Sequence, residues 1–363
     1  MVNNEHNVLT INPGSTSTKV ALYIKNGVVH EGTINHSASD LSHYDRVIDQ
    51  YNFRKQAILS WLNDLCPKVT SLDAVVGRGG LLPPLESGTY LVNEIMLDDI
   101  RSPTTREHAS NLGALLANEI GQKFKAPAFT VDPVSVDELD PISRLSGLAD
   151  IERKSFSHAL NLKAVARLAA DSLARKYQDI NLIVVHLGGG ISVTAHRRGR
   201  MVDVSGGMDS GPFSPERCGA LPVFDVIELC YSGITKDALK KKLSGQGGLV
   251  SYLGTNSALE VSRRIKEGDG NALLVMQAMA SQIAKEIGSM APVLECNVDA
   301  IVLTGGMAKW RELIEEIRRR VQNIAAFMVF PGENEMLSLA QGALRVLCGE
   351  ESAKEYGNMI ESI

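Results

Sequence analysis

Three glycine-rich turns and two arginines hold most of the chemistry this sequence can perform. NPGSTSTK (12–19) places a proline, a glycine, four hydroxyl side chains and Lys19 between the apolar runs NVLTI and VALYI. HLGGG (186–190) and TGG (304–306) also end apolar runs. Glycines let backbone N–H groups approach anionic oxygens with no Cβ in the way. Ser15, Thr16, Ser17 and Thr18 add hydroxyl groups, and Lys19 adds charge. The familiar phosphate loop opens a helix, whereas Lys19 leads through Val20 into a second strand. One such loop is equally a hairpin turn; three at strand ends point to a phosphate-bearing ligand. Arg78, in VGRGG, and Arg217, in SPERCGALP, could each grip a carboxylate or phosphoryl oxygen through two parallel hydrogen bonds. Taken singly, each also reads as a loop arginine.

The elements that must position these residues occur twice. VLTI, TKVALYI and VVHEGTI (within 8–36) read as three strands, with Asn26-Gly27 as a hairpin turn. LIVVHL, ISVTAH and MVDVS (within 182–206) repeat the pattern, joined by GGG and RRGR. DAVVGRGG (73–80) and DAIVLTGG (299–306) match at five of eight positions, and each reads as a buried strand ending in a glycine pair. Such internal repetition predicts one architecture used twice, with roughly 50 extra residues in the second copy. Segments such as NFRKQAILSWLNDLC, EHASNLGALLANEIGQKF, HALNLKAVARLAADSLARKY, WRELIEEIRRRVQNI and EMLSLAQGALRVLC show helical apolar spacing. Strands interleaved with helices predict α/β domains with mixed sheets, and a ligand cleft between two such domains. The expected division is 1–153 plus 338–363 for the first domain and 154–337 for the second, with hinges near 150–156 and 335–340.

Composition narrows the partners. At 363 residues, 44% hydrophobic, the chain exceeds what one core usually organises. A net charge of −5 with no long basic run argues against nucleic acid, and Arg318-Arg319-Arg320 reads as a solvated helix face. No apolar run approaches the ~20 residues of a membrane span. Cys66, Cys218, Cys230, Cys296 and Cys348 form no CxxC pair, which suits a reducing compartment without a disulfide framework or zinc site. MVNNEHN lacks the pattern of a signal peptide. The expectation is a cytoplasmic protein without a membrane partner.

INPGSTSTK, VGRGG, EHASNLGAL, HLGGGISV, SPERCGALP, YLGTN, VLTGG and PGENEM, in this order, resemble the butyrate kinases, a branch of the acetate kinase family. That family lies within the sugar kinase, Hsp70 and actin superfamily. The resemblance covers effectively the whole chain. It implies two duplicated ribonuclease-H-like domains and reversible transfer of the ATP γ-phosphoryl group to a short carboxylic acid. It also implies Mg2+ and a homodimer or larger homo-oligomer.

Residue by residue, the resemblance implies a carboxylate-binding role for Arg78 and stabilisation of the transferring phosphoryl group by Arg217 and His158. His108 matches another active-site histidine, although a capping or core role suits it nearly as well. Asn12, Ser15, Ser17 and Lys19 match phosphate-side positions, opposed by Gly188, Gly189 and Gly190. Gly305, Gly306 and Met307, with Asn256 in YLGTN, match the purine end. Asp132, in FTVDP, and Glu335, in PGENEM, match metal-associated positions; each is equally a turn or cap residue, and Glu333 is easily confused with Glu335. His186 reads as structural, orienting the GGG turn.

These residue types suit an ionised nucleophile. A short aliphatic acid, with a pKa near the ~4.3 of glutamate, is already an anion at pH 7, so no general base is needed. Positioning and charge neutralisation remain. The carbon tail needs apolar wall, for which LLPPLESGTYLV (81–92) is a candidate, each buried CH₂ contributing about 0.8 kcal/mol. One departure stands out: relatives carry an acid and an arginine where this chain has Ser257 and Leu259. Two further readings stay open, a sugar kinase of the same fold and a nucleotide-gated binding protein that has lost catalysis.

Overall fold

Val8–Pro13 (β1), Ser17–Tyr23 (β2) and Val29–Asn35 (β3) form an antiparallel meander, with Asn12 opposite Lys19 and Lys19 opposite Thr33. The computed structural model describes residues 6–24, 29–65, 69–102, 104–105, 107–206 and 210–357; the Asn26-Gly27 turn lies outside the described residues. Ala74–Arg78 (β4) pairs parallel with β1, and Ala128–Val131 (β6) pairs parallel with β4. Thr89–Leu91 (β5) adds to β6 antiparallel, and Lys354–Glu355 (β12) adds to β5, giving the order β12-β5-β6-β4-β1-β2-β3. Leu9, Ile11, Val20 and Leu22 are buried in one core with Ile58, Leu62, Met96 and the apolar stripe of helix Leu112–Phe124. Helix Glu335–Leu347 packs across β1, β4 and β6, where a Cβ on Gly342 would collide with Val131. These elements form a unit of Met1–Val136 with Asn334–Ile363.

The second unit, Asp137–Glu333, repeats the plan. Asn181–Leu187 (β7), Ile191–Arg197 (β8) and Arg200–Gly206 (β9) form the meander, and Ala300–Gly305 (β10) and Ala326–Pro331 (β11) continue the sheet in parallel. Its order, β11-β10-β7-β8-β9, equals β6-β4-β1-β2-β3 of the first unit. Helices Gly270–Val293 and Arg311–Val321 bury their apolar stripes in one core with Ile183, Val185 and Leu303, while helix Ala159–Ser172 packs against β7 and β10.

The repeated aspartate does the same work in both units. Asp73 accepts the Asn7 backbone N–H at 2.6 Å, and Asp299 accepts that of Asn181 at 2.8 Å. Each pins the start of the first meander strand to the strand that follows the repeat's first helical segment. The Asn7 and Asn181 amides bond the carbonyls of Ser71 and Asn297 in turn. Duplication is thus visible at the level of single hydrogen bonds.

Residues 137–153 group with the second unit, whereas the sequence reading draws its boundary at 153. Asp140 N–H donates to the Val202 carbonyl, Arg144 makes a fork on Asp137, and Arg153 donates to Asp203 and the Val204 carbonyl. The Asp140 and Arg153 contacts fasten the segment to β9, and the Arg144 fork holds the segment itself together. The boundary expected at 338 lies at 333/334, because helix Glu335–Leu347 joins the first unit whole. Among the described residues, no helix is long and apolar enough to cross a membrane.

Candidate active site

In the first unit, Asn12, Arg78 and Asp132 lie at the carboxyl ends of three adjacent parallel strands, the edge where open α/β sheets bind ligands. The register places Asn12 one step beyond the Ile11–Gly77 pair, beside Arg78. Glycines make that turn possible: a Cβ on Gly77 would collide with the Gly113 backbone, and one on Gly80 with Asn111. Asn111 Oδ1 in turn accepts the Leu81 N–H at 2.8 Å. VGRGG is therefore clamped against the start of helix Leu112–Phe124, and Arg78 is aimed by that clamp.

Glu335, at the first turn of its helix, accepts from Arg78 Nη1 and, at 2.6 Å, from Asn12 Nδ2. The Arg78 side chain is 12% exposed, and its Nε–H is buried with no hydrogen-bond partner among the described residues. A buried unpaired donor is costly, and an incoming anion would relieve it. Asp132 is buried at φ +39°, with Oδ1 accepting the Gly88 N–H at 2.8 Å. In the first loop, Ser15 and Lys19 are exposed and Ser17 is half-buried. His108 caps the short 3₁₀ turn Ala109–Asn111, its Nδ1 accepting the Ser110 N–H, which is the capping alternative. Leu82 and Leu85, in the proposed acyl wall, are packed into the core instead.

In the second unit, Gly188–Gly190 joins β7 to β8. A Cβ on Gly190 would collide with the Arg217 guanidinium, so the third glycine is the seat of that side chain. The segment carrying Arg217 is itself moulded by glycines. Gly248, at φ +59°, packs against the Ser214 carbonyl, and Ser214 Oγ donates to the Gly189 carbonyl at 2.6 Å. His158 stacks on His186 with centroids 3.9 Å apart and 15° between planes. His158 Nδ1 meets Ser192 Oγ at 3.1 Å; His186 is buried between Asn161 Oδ1 at 2.8 Å and Glu333 Oε1 at 3.2 Å. His186 therefore supports His158 as well as the turn. Glu333 and Glu335, two residues apart, serve different units: one meets His186, the other Arg78 and Asn12.

Gly305 takes φ +94°, and a Cβ there would collide with the Leu187 carbonyl. It leads into Gly306 and Met307, on the wall of a cavity of about 840 Å³ shared with Ala258, Leu259, Lys266 and Trp310. That volume is within the usual range for small-molecule sites. Asn256 donates to Glu216 at 2.5 Å, tying YLGTN to the residue before Arg217. Ser257 caps helix Ala258–Lys266 by accepting the Glu260 N–H at 3.3 Å, and Leu259 is 85% exposed. Aspartate caps as well as serine, so Ser257→Asp/Leu259→Arg should fold normally. We expect the double variant to lower the KM for MgATP by about two- to fivefold, the range of one exposed charge contact. An unchanged KM in steady-state kinetics would show the departure to be neutral.

A hard divalent cation keeps several waters and takes one or two carboxylates. Glu335, 23% exposed, and the buried Asp132 are the carboxylates nearest this edge. Both are already engaged, Glu335 by Arg78 and Asn12 on its two oxygens and Asp132 by the Gly88 N–H on one, so either would share or release those bonds to hold a cation. No group of three or more metal-binding side chains occurs among the described residues. Several contributors escaped the sequence reading: Arg54 beneath the first loop, Asn161 and Ser192 behind the histidines, and Gly247-Gly248 beneath Arg217. Only the glycine pair left a readable signal.

The family model for acetate kinase, described as the Acetokinase family, matches residues 150–357. Among solved structures, the fold is similar to an acetate kinase from Porphyromonas gingivalis, with TM-score 0.79, 18% identity, and 94% of this chain and 100% of that one covered. It is similar to a propionate kinase from Francisella tularensis subsp. tularensis SCHU S4 at TM-score 0.67 and 23% identity, covering 93% and 98%. An acetate kinase from Entamoeba histolytica gives TM-score 0.72 at 16% identity, again covering 93% and 98%. At these identities the likeness establishes the fold, two α/β domains with mixed sheets flanked by helices.

Proposed function

This chain belongs to the acetokinase family, and from that premise we propose that it phosphorylates butyrate or a branched short-chain acid with ATP, reversibly. The observation that carries the carboxylate reading is the Asn12–Glu335–Arg78 group, with its buried Arg78 Nε–H, which has no partner among the described residues. The ordered motif set from INPGSTSTK to PGENEM supports butyrate in particular.

In the forward direction a carboxylate oxygen attacks the γ-phosphorus in line, and the bond to the β,γ-bridging oxygen breaks. Acyl phosphate and ADP leave. No proton has to move, because the nucleophile is ionised and ADP departs as an anion. Arg78 holds the acid's carboxylate. Arg217 and His158 neutralise the equatorial oxygens in transit, with His108 as a further contact. Asn12, Ser15, Ser17 and Lys19 bind phosphate oxygens, and Gly188, Gly189 and Gly190 offer backbone N–H groups. Gly305, Gly306, Met307 and Asn256 serve the nucleoside end. Glu335, with Asp132 at the neighbouring strand end, would hold Mg2+, which supplies charge neutralisation on the phosphates. The exposed apolar face of helix Val223–Tyr231, with Phe224 81% and Tyr231 86% exposed, supports a homodimer, which sedimentation at a protomer's mass would refute.

The deciding experiment incubates the protein with MgATP and butyrate, acetate, isobutyrate or glucose, and traps acyl phosphate with hydroxylamine. Hydroxamate should form with the short acids, most with butyrate or isobutyrate. ADP release that depends on glucose, with no hydroxamate from any acid, would make it a sugar kinase instead.

A further inference from the structure

We infer that Arg54 is the positioning residue that shapes the NPGSTSTK loop for phosphate, an inference resting on the kinase reading above. Arg54 lies on helix Tyr51–Leu65 and is 0% exposed. Its Nη1 donates to the Gly14 carbonyl at 2.8 Å, the Ser17 carbonyl at 3.1 Å and Thr18 Oγ1 at 3.2 Å. Nη2 donates to the Ser15 carbonyl at 3.0 Å and to Gln50 Oε1 at 2.8 Å, and Nε donates to the same Gln50 oxygen at 3.1 Å. The remaining carbonyl of the turn, that of Thr16, accepts the His36 N–H at 2.9 Å.

Every carbonyl from Gly14 to Ser17 is therefore turned inward. The N–H groups of Ser15 and Thr16 donate to nothing among the described residues, and both residues are exposed. Carbonyls in and amides out is the polarity an anion requires. A glycine-rich phosphate loop achieves it through backbone freedom; here one guanidinium gathers the carbonyls, and no residue of the loop takes a positive φ.

The charge matters as well as the geometry. Among the described residues no carboxylate pairs with Arg54, so its partners are neutral oxygens. Burial opposes the charged form and pulls its pKa down from the usual value, yet a guanidinium stays ionised at neutral pH. His36, whose Nε2 meets Thr18 Oγ1 at 2.8 Å, has its pKa lowered by burial and then by Arg54, which favours the neutral ring. The loop is thus backed by an uncompensated cation on the side away from solvent. Lysine could keep that charge but could not span Gly14, Ser15, Ser17 and Gln50 in one plane.

The test compares wild type and Arg54→Lys by hydroxamate kinetics, with thermal melting for each. Arg54→Lys should lower kcat per folded molecule by about ten- to a hundredfold, as a small misplacement of a positioning loop does. KM for butyrate should stay within about twofold, because Arg78 holds the acid. A merely structural arginine would lower the melting temperature and the folded fraction while the folded molecules turned over normally. Unchanged kcat in folded Arg54→Lys therefore overturns the inference and leaves the kinase reading standing. No hydroxamate from wild type overturns both. If Arg54→Lys does not fold, Gln50→Leu decides, since it frees the far side of the guanidinium: about fivefold lower kcat supports the inference, and wild-type kcat overturns it.

Discussion

Arg217→Ala is expected to lower kcat by about a thousandfold while KM for MgATP stays within about threefold, as when one preorganised donor to a transition state is removed. The expectation follows from where the side chain is held. Its guanidinium sits on Gly190, at the turn whose backbone would face phosphate, and Ser214, Gly247 and Gly248 brace its own segment. With its segment braced in this way, the side chain starts at the turn and needs little travel when charge develops on the transferring oxygens. Ground-state ATP would lose one contact among many, whereas the transition state would lose the contact that strengthens most. Arg217→Lys should recover part of the loss, because a point charge replaces a planar fork imperfectly. Gly190→Ala offers an independent check, since the added methyl must displace the guanidinium without changing its chemistry. Steady-state kinetics with ATP varied at saturating acid reads all three variants. Equal losses in kcat and in ATP affinity would assign Arg217 to nucleotide binding instead.

What could be read in the sequence divides along physical lines. The duplicated strands were legible because alternating burial and glycine turns leave a pattern in residue types. Asp73 and Asp299 were legible because the same job, holding the first strand's N-terminus, demands the same side chain in each unit. Arg54 was not. On a helix read for apolar periodicity, an arginine between Phe53 and Lys55 looks like the wet face, and only the fold brings it beneath residues 14–18. The boundary at 136/137 was hidden for the same reason, since the bonds of Asp140 to Val202 and of Arg153 to Asp203 are long-range choices that local pattern does not encode. Glu333 and Glu335 could not be told apart in PGENEM, because their separation depends on which unit each faces. Helices Val223–Tyr231 and Lys236–Leu243 bury none of their residues, so no packing against the chain's own core accounts for the apolar residues of the first.

Arg78→Ala is expected to lower kcat/KM for the acid by about a hundred- to a thousandfold, chiefly through KM, as for loss of a buried, charge-assisted contact. Two effects add. The fork that would grip the substrate carboxylate is gone, and Glu335 keeps its negative charge with only Asn12 Nδ2 still bonded to it among the partners named above. An acid anion arriving at that edge then meets repulsion where it met attraction. The second effect can be isolated. In Glu335→Gln the repelling charge is absent, so adding Arg78→Ala to that background should cost about tenfold less than it does in wild type, the size of coupling expected of directly bonded residues. Arg78→Lys should fall between wild type and alanine, because it restores charge without the second parallel hydrogen bond. A double-mutant cycle on kcat/KM for butyrate measures this directly. Strict additivity would mean that Arg78 and Glu335 act independently, and the acid's approach would then not depend on the pairing of Arg78, at the end of β4, with Glu335, at the start of its helix.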